Sequence, residues 1–163
     1  MKILIVDDNA LALRVMYNHL LKDGHEIITA GCGSDCLQIL LGPNPPGVAV
    51  LDWMMPDMDG LEVCRRVRQE QKLTRTYILM TTCMQSKEDL IQALDAGADA
   101  YLFKPYDSAV FRAHVRAGLR IAEYQEKLRQ TTPPPCYPLT EMSESAPAPT
   151  PGPAQATARA LEV

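Results

Sequence analysis

Apolar residues gather into five short runs along the first two thirds of the chain: Lys2 to Val6, Glu26 to Ala30, Val48 to Leu51, Tyr77 to Thr81 and Ala100 to Phe103. Each is four or five residues long and mostly apolar without clean alternation, the pattern of strands covered on both faces. Between them, apolar residues recur at helical spacing: Leu11, Val15, Leu20 and Leu21; Cys36, Leu37, Leu40 and Leu41; Leu61, Cys64 and Val67; Leu90, Ile91, Leu94 and Ala98. Strands alternating with helices of this length predict βαβ units and a parallel sheet, with β-α read five times and a last helix from about Ser108.

Polar residues stand where four of these runs stop. Asp7 and Asp8 follow the first, Asp52 the third, Thr82 the fourth and Lys104 the fifth. In an open parallel α/β sheet such ends converge on one edge, and ligands bind in the crevice outside the carboxyl ends of the strands. The placement predicts a site at that edge. An isolated Asp-Asp pair is more often a helix N-cap and its neighbour, and an isolated Lys-Pro is usually a loop. The five positions together carry the functional reading.

Their spacing carries a specific resemblance. Asp7-Asp8 after a strand, Asp52 followed by MMPDMDG, Thr82 thirty residues beyond Asp52, and Lys104-Pro105 twenty-two beyond Thr82 resemble the receiver domain of two-component response regulators, over about residues 1–125. The resemblance implies a flavodoxin-like (βα)5 fold, a doubly wound parallel sheet of strand order 2-1-3-4-5, which the residues alone do not give. It implies that Asp52 is the phosphoacceptor, since a carboxylate can act as nucleophile toward a phosphoryl group. Three crowded carboxylates repel and raise one another's proton affinity unless a cation neutralises them. Mg2+, or Mn2+ in its place, suits such oxygen ligands; the implied ligands are Asp7, Asp8, Asp52 and the backbone carbonyl of Met54. Phosphoryl transfer is mostly positioning and charge stabilisation, and Lys104 supplies the cation near the transferred oxygens.

Thr82 and Tyr101 match the family's switch positions. New phosphoryl oxygens on Asp52 can accept a hydrogen bond from the Thr82 hydroxyl and draw its loop inward. The aromatic residue on the last strand turns inward when the threonine moves, altering a face formed by the fourth helix, fifth strand and fifth helix, roughly residues 86–97 and 100–125. Asp57, Asp59 and Gly60 read as turn and helix-cap residues rather than ligands. Gly97 reads as a helix terminator, and Pro105 follows a cis peptide in the family.

Three positions bear on access to Asp52. Cys83 stands where the family usually has alanine or another very small residue, which narrows the approach slightly. Met54 and Met84 lie two residues beyond Asp52 and Thr82, where the family tunes how water reaches the acyl phosphate. Two long apolar side chains there would shield it and lengthen its lifetime; the alternative is that both merely pack.

Composition limits the remaining classes. The 163 residues, 47% of them hydrophobic, suit one domain with an appendage. Residues 1–130 hold 15 basic and 17 acidic side chains, so no basic stripe is available to follow a phosphate backbone. No helix-turn-helix segment follows the receiver-like part, and direct contact with nucleic acid is not expected. The five cysteines Cys32, Cys36, Cys64, Cys83 and Cys136 form no CxxC pair, consistent with thiols in a reducing compartment. The chain shows no signal peptide and no run of about eighteen apolar residues, so a cytoplasmic location without membrane contact is expected.

The last helix is expected to outrun its domain, over residues 107–130. Val110, Ala113, Ala117, Ile121, Tyr124 and Leu128 recur three or four apart, a stripe able to dock on the sheet at its start and continue as a short two-helix seam. RAGLRIAEYQEKLRQ resembles the connector after receivers joined to diguanylate cyclase or serine phosphatase domains. Residues 131–163 hold eight of the 13 prolines and are expected to be extended or disordered.

The expectation is a switch rather than a turnover enzyme, with no output domain of its own. It would take a phosphoryl group from a histidine kinase or phosphotransfer protein onto Asp52 with Mg2+. It would then act on a downstream effector protein, or pair with a second copy as a homodimer. The alternatives are a phosphorelay intermediate, and a receiver fragment of a larger response regulator with an enzymatic output such as diguanylate cyclase.

Overall fold

A computed structural model of the chain describes residues 1–70 and 76–131; the proline-rich segment and Cys136 lie outside the described residues. Among the described residues five strands and five α-helices alternate. They are β1 (Lys2–Val6), α1 (Ala10–Leu20), β2 (Glu26–Ala30), α2 (Gly33–Leu40), β3 (Val48–Asp52), α3 (Gly60–Gln69), β4 (Tyr77–Thr82), α4 (Lys87–Asp95), β5 (Ala100–Phe103) and α5 (Ser108–Thr131). All strand pairs are parallel and the order is β2-β1-β3-β4-β5, the flavodoxin-like arrangement that the resemblance implied.

Every residue of β3 and β4 is buried, which explains why these runs carry no polar alternation. One face of the sheet presents Leu4, Val6, Leu51, Ile78 and Met80 to a core completed by Cys36, Leu40, Val63, Cys64 and Val67 of α2 and α3. The other presents Ile3, Ile5, Val48, Val50 and Leu79 to Met16 and Leu20 of α1 and to Phe111, Val115 and Leu119 of α5. Burying each such side chain contributes roughly 1.5–3 kcal/mol.

Caps and turns set where the chain reverses. The Asn9 side chain accepts from the amides of Leu11 and Ala12 at the start of α1, Asp59 accepts from Glu62 at the start of α3, and Ser86 and Asp89 form a reciprocal capping box on α4. Gly97 ends α4 at φ +103°, a conformation that side chains resist. Beyond it, Arg68 ties three strand-entry groups together. Its guanidinium donates to Gly97 O (2.9 Å), Thr76 O (3.1 Å) and Asp99 Oδ2 (2.7 Å), and Asp99 Oδ2 also accepts from the Ile78 amide at 2.7 Å.

Two helical faces depart from the expected ones. In α1 the buried residues are Met16 and Leu20, while Leu11, Val15 and neighbouring Leu21 are exposed. In α5 the docked stripe is Phe111, Val115, Leu119 and Ala122 rather than Val110, Ala113 and Ala117. Phe111 is the larger anchor and Gly118 lets the Tyr77 ring close on the helix, where a Cβ would meet a ring carbon at 2.4 Å. The second apolar stripe is therefore not the docking one: Val110, Ile121, Tyr124 and Leu128 all remain exposed.

Candidate functional site

The register of the sheet brings the polar run ends together. Asp52 is the last residue of β3 and the lateral partner of Thr81, and Val6, before Asp7, pairs with Leu51, before Asp52. Side chains alternate across a strand, so Asp7, Asp52 and Lys104 all project on the α1/α5 side of the sheet. Asp7 and Asp52 are buried and Asp8 is exposed. One carboxylate oxygen from each of the three lies within 4.8 Å of the others.

Lys104 closes this cluster from β5. Its Nζ donates to Asp7 Oδ2 at 2.6 Å and to Asp52 Oδ1 at 2.8 Å, and the Lys104–Pro105 peptide is cis. The Lys104 backbone is fixed by donating its N–H to Thr82 O at 2.7 Å. Burial raises the pKa of Asp52; the hydrogen bond and charge of Lys104 oppose this, and the charges of Asp7 and Asp8 add to it. Burial also acts to lower the pKa of Lys104, but its bonds to Asp52 and Asp7 outweigh that and hold the ammonium above its ordinary value. The second oxygen of Asp7, Oδ1, accepts from the Asn9 amide at 2.9 Å, which orients the carboxylate.

Such a donor set fits a small hard cation: three carboxylates converge, one exposed to water, with oxygen the only ligand atom. The neighbouring loop, residues 53–59, follows β3. Trp53 N–H donates to Thr81 O at 2.9 Å and Gly60 N–H closes the loop onto Trp53 O at 2.8 Å. Gly60 is required here, because a Cβ would stand 2.5 Å from the carbonyl oxygen of Asp52. Asp8, Trp53, Met54, Met55, Pro56, Asp59 and Met84 line an open groove of about 470 Å³ beside the cluster, so Met54 and Met84 reach the same space from two loops. Cys83 is exposed next to them.

Thr82 and Tyr101 meet at the backbone of Met84. The Thr82 hydroxyl accepts from Met84 N–H at 3.1 Å, and the Tyr101 hydroxyl donates to Met84 O at 2.8 Å. Tyr101 packs edge-on against Phe103 (centroids 4.9 Å apart) and faces Trp53 at 6.3 Å.

Three features near the site were not read from the sequence. Tyr106 stacks on Phe111 at 5.3 Å; burial pushes its phenol upward, with Lys104, Asp7 and Asp52 close enough to act on it. Thr81 is fully buried on the face shared with Asp52, and its hydroxyl has no hydrogen-bond partner among the described residues. Asp57 caps the distant helix α2, accepting from the amides of Gly33 and Ser34; only its role as a cap was legible. The four described cysteines are all free thiols, and burial pushes that of Cys64 up to about 12.

A parallel sheet of this order with an acidic cluster, a bridging lysine and a threonine at its carboxyl edge defines a signalling receiver. Residues 3–116 match the family model described as response regulator receiver domain, and the chain belongs to that family. It is 39% identical over 121 residues to the transcriptional regulatory protein AfsQ1 of Streptomyces coelicolor, a match covering 74% of this chain and 52% of the relative. It is 35% identical over 113 residues to a chemotaxis protein CheY homolog of Campylobacter jejuni, covering 69% of this chain and 87% of the relative. Among solved structures, the CheY-like receiver domain protein of Methanospirillum hungatei JF-1 superposes with a TM-score of 0.67 at 27% identity, over 76% of this chain and 97% of that one. The chain spans about half the length of most of the curated relatives it matches. No helix among the described residues is long and apolar enough to cross a membrane.

Proposed function

We propose that this receiver works as a phosphoacceptor switch, with Asp52 the residue that carries the phosphoryl group. The observation that carries the reading is Lys104 bridging Asp7 and Asp52 within hydrogen-bond distance of both, a cation already placed where the charge of a transferred group would develop. An oxygen of Asp52 attacks phosphorus as the bond to the donor's nitrogen or oxygen breaks, and the leaving group takes up a proton from solvent. Asp7, Asp8, Asp52 and the Met54 carbonyl would hold Mg2+, or Mn2+, which would supply charge neutralisation for the carboxylates and the phosphoryl oxygens. The donor is the phosphohistidine of a histidine kinase or phosphotransfer protein.

Output follows from the Met84 junction. In the structure Thr82 and Tyr101 are both tied to the Met84 backbone, so drawing the Thr82 hydroxyl toward a phosphorylated Asp52 breaks one tie and frees Tyr101 from the other. The two alternatives bias the face of α4, β5 and α5. That face exposes Ile91, Leu94, Phe103 and Val110, and the free stripe of α5 continues it through Ile121, Tyr124 and Leu128; it serves an effector protein or a second copy. Met54 and Met84, flanking the groove beside Asp8, shield the acyl phosphate from water.

Several of the relatives are named as transcriptional regulators, and this chain matches about half of each. A phosphorelay step, or a receiver whose parent carries an enzymatic output, would use the same site. The reading is tested by intact-mass analysis after incubation with acetyl phosphate, with and without Mg2+. One phosphoryl group should be gained by the wild type and not by Asp52→Ala; a folded wild type that gains none contradicts the reading.

A further inference from the structure

The loop that follows Asp52 is tied at its two ends by Trp53 to β4 and by Gly60 to Trp53, and its middle is held by a different element. Asp57 Oδ1 accepts from the Gly33 amide and Oδ2 from the Ser34 amide, both at 2.9 Å, across 24 and 23 residues of sequence. The first turn of a helix leaves amides without intrahelical partners. Here the residue before α2, Cys32, provides no side-chain cap, so the carboxylate of a distant loop does. The two segments also touch directly: a Cβ on Gly33 would stand 2.3 Å from the carbonyl oxygen of Met58 and 2.8 Å from its Cβ. Only glycine lets the loop lie this close. The amides of Ser34 and Gly33, with the Ser34 hydroxyl and the Met58 amide, hold the Asp57 carboxyl well below the usual carboxylate range.

We infer that Asp57 is a positioning residue of the acidic site, which fixes the Met54 carbonyl for a divalent cation by clamping the loop onto α2. The inference rests on the metal reading given above. Met54 is three residues from Asp57 and its side chain is exposed, so little packing of its own holds it. Without the clamp the loop keeps its two end ties and its middle gains freedom that metal binding must then remove.

The test is a Mg2+ titration of wild type, Asp57→Ala and Asp57→Asn, followed by the fluorescence of Trp53, the sole tryptophan. Loss of an outer partner of a metal ligand costs about tenfold or more in affinity; Asp57→Ala should weaken binding by that factor, and Asp57→Asn, which keeps one acceptor oxygen, by less. In the metal-free proteins, amides of residues 53–59 should exchange hydrogen faster in the variants while those of β1 do not. A second variant separates positioning from helix capping. Adding Cys32→Ser to Asp57→Ala gives α2 a local cap and should restore stability but not Mg2+ affinity. Affinity recovered along with stability, or a wild-type affinity in both Asp57 variants, would overturn the clamp. A folded wild type that shows no Mg2+ response would instead remove the metal reading, and the clamp's purpose with it.

Discussion

Replacing Lys104 with methionine isolates what one ammonium does among three carboxylates. In the structure it touches Asp7 at 2.6 Å and Asp52 at 2.8 Å, while Asp7 is 1% exposed. Two unit charges about 4 Å apart attract by about 4 kcal/mol at an effective dielectric of about 20, and desolvating each ion opposes this by several kcal/mol. The larger effect is what remains: stripping the partner from a buried charge costs roughly 3–5 kcal/mol. Asp8 is open to water, and the Lys104 side chain is 20% exposed, so solvent screens part of this and the lower figure applies. In EDTA at neutral pH, Lys104→Met should therefore be destabilised by roughly 3 kcal/mol in urea unfolding, on the order of 10 °C in Tm.

Mg2+ should narrow that gap. A ligand at 100 times its Kd stabilises by about 2.7 kcal/mol, and the variant, having lost a competing cation, should bind it more tightly than the wild type while accepting a phosphoryl group more slowly. Because the folded-state pKa of Lys104 is raised, its contribution is complete at neutral pH and is lost only as the pH rises through that value, above the ordinary 10.5. Equal stability in EDTA, or a gap that widens with Mg2+, would refute the reasoning.

The other expectations are simpler. Arg68→Met removes three hydrogen bonds at the opposite end of the strands and should cost roughly 3 kcal/mol in unfolding experiments with phosphoryl uptake unchanged. Thr81→Val replaces a buried hydroxyl that has no hydrogen-bond partner among the described residues with a methyl, and should raise stability by about 1 kcal/mol; a destabilised variant would point to a partner the hydroxyl does have. Asp57, whose folded pKa lies below the ordinary 3.8, stabilises the fold above that value and loses its contribution as the pH falls through the folded one. The stability difference between wild type and Asp57→Asn should thus persist at neutral pH and shrink in acid, as measured by urea unfolding across pH.

Strand positions were legible because β3 and β4 are buried on both faces, which leaves unbroken apolar runs, and because the run ends at Asp52, Thr82 and Lys104 are also the sheet's carboxyl edge. Helix existence was legible too, but the docked face was not always. In α5 both stripes recur at helical spacing, and nothing local distinguishes Val110 from Phe111 until the Tyr77 ring seeks the gap at Gly118. Long-range ties were invisible for the same reason. Asp57 looks like any turn aspartate until α2 arrives with a bare first turn, and Arg68 reads as a solvated helix residue until the segments entering β4 and β5 supply Thr76, Gly97 and Asp99. That Asp7, Asp8, Asp52 and Lys104 share one edge was readable from their places at run ends; the contacts that orient them exist only once the fold creates them.

If Asp52 itself receives the phosphoryl group, it can be trapped there. Protein treated with acetyl phosphate and Mg2+ is reduced with borohydride, which converts an aspartyl phosphate to homoserine, and is then digested and mapped by tandem mass spectrometry. Homoserine is expected at position 52 alone, dependent on Mg2+. Modification at Asp7, Asp8 or elsewhere with Asp52 intact would contradict it.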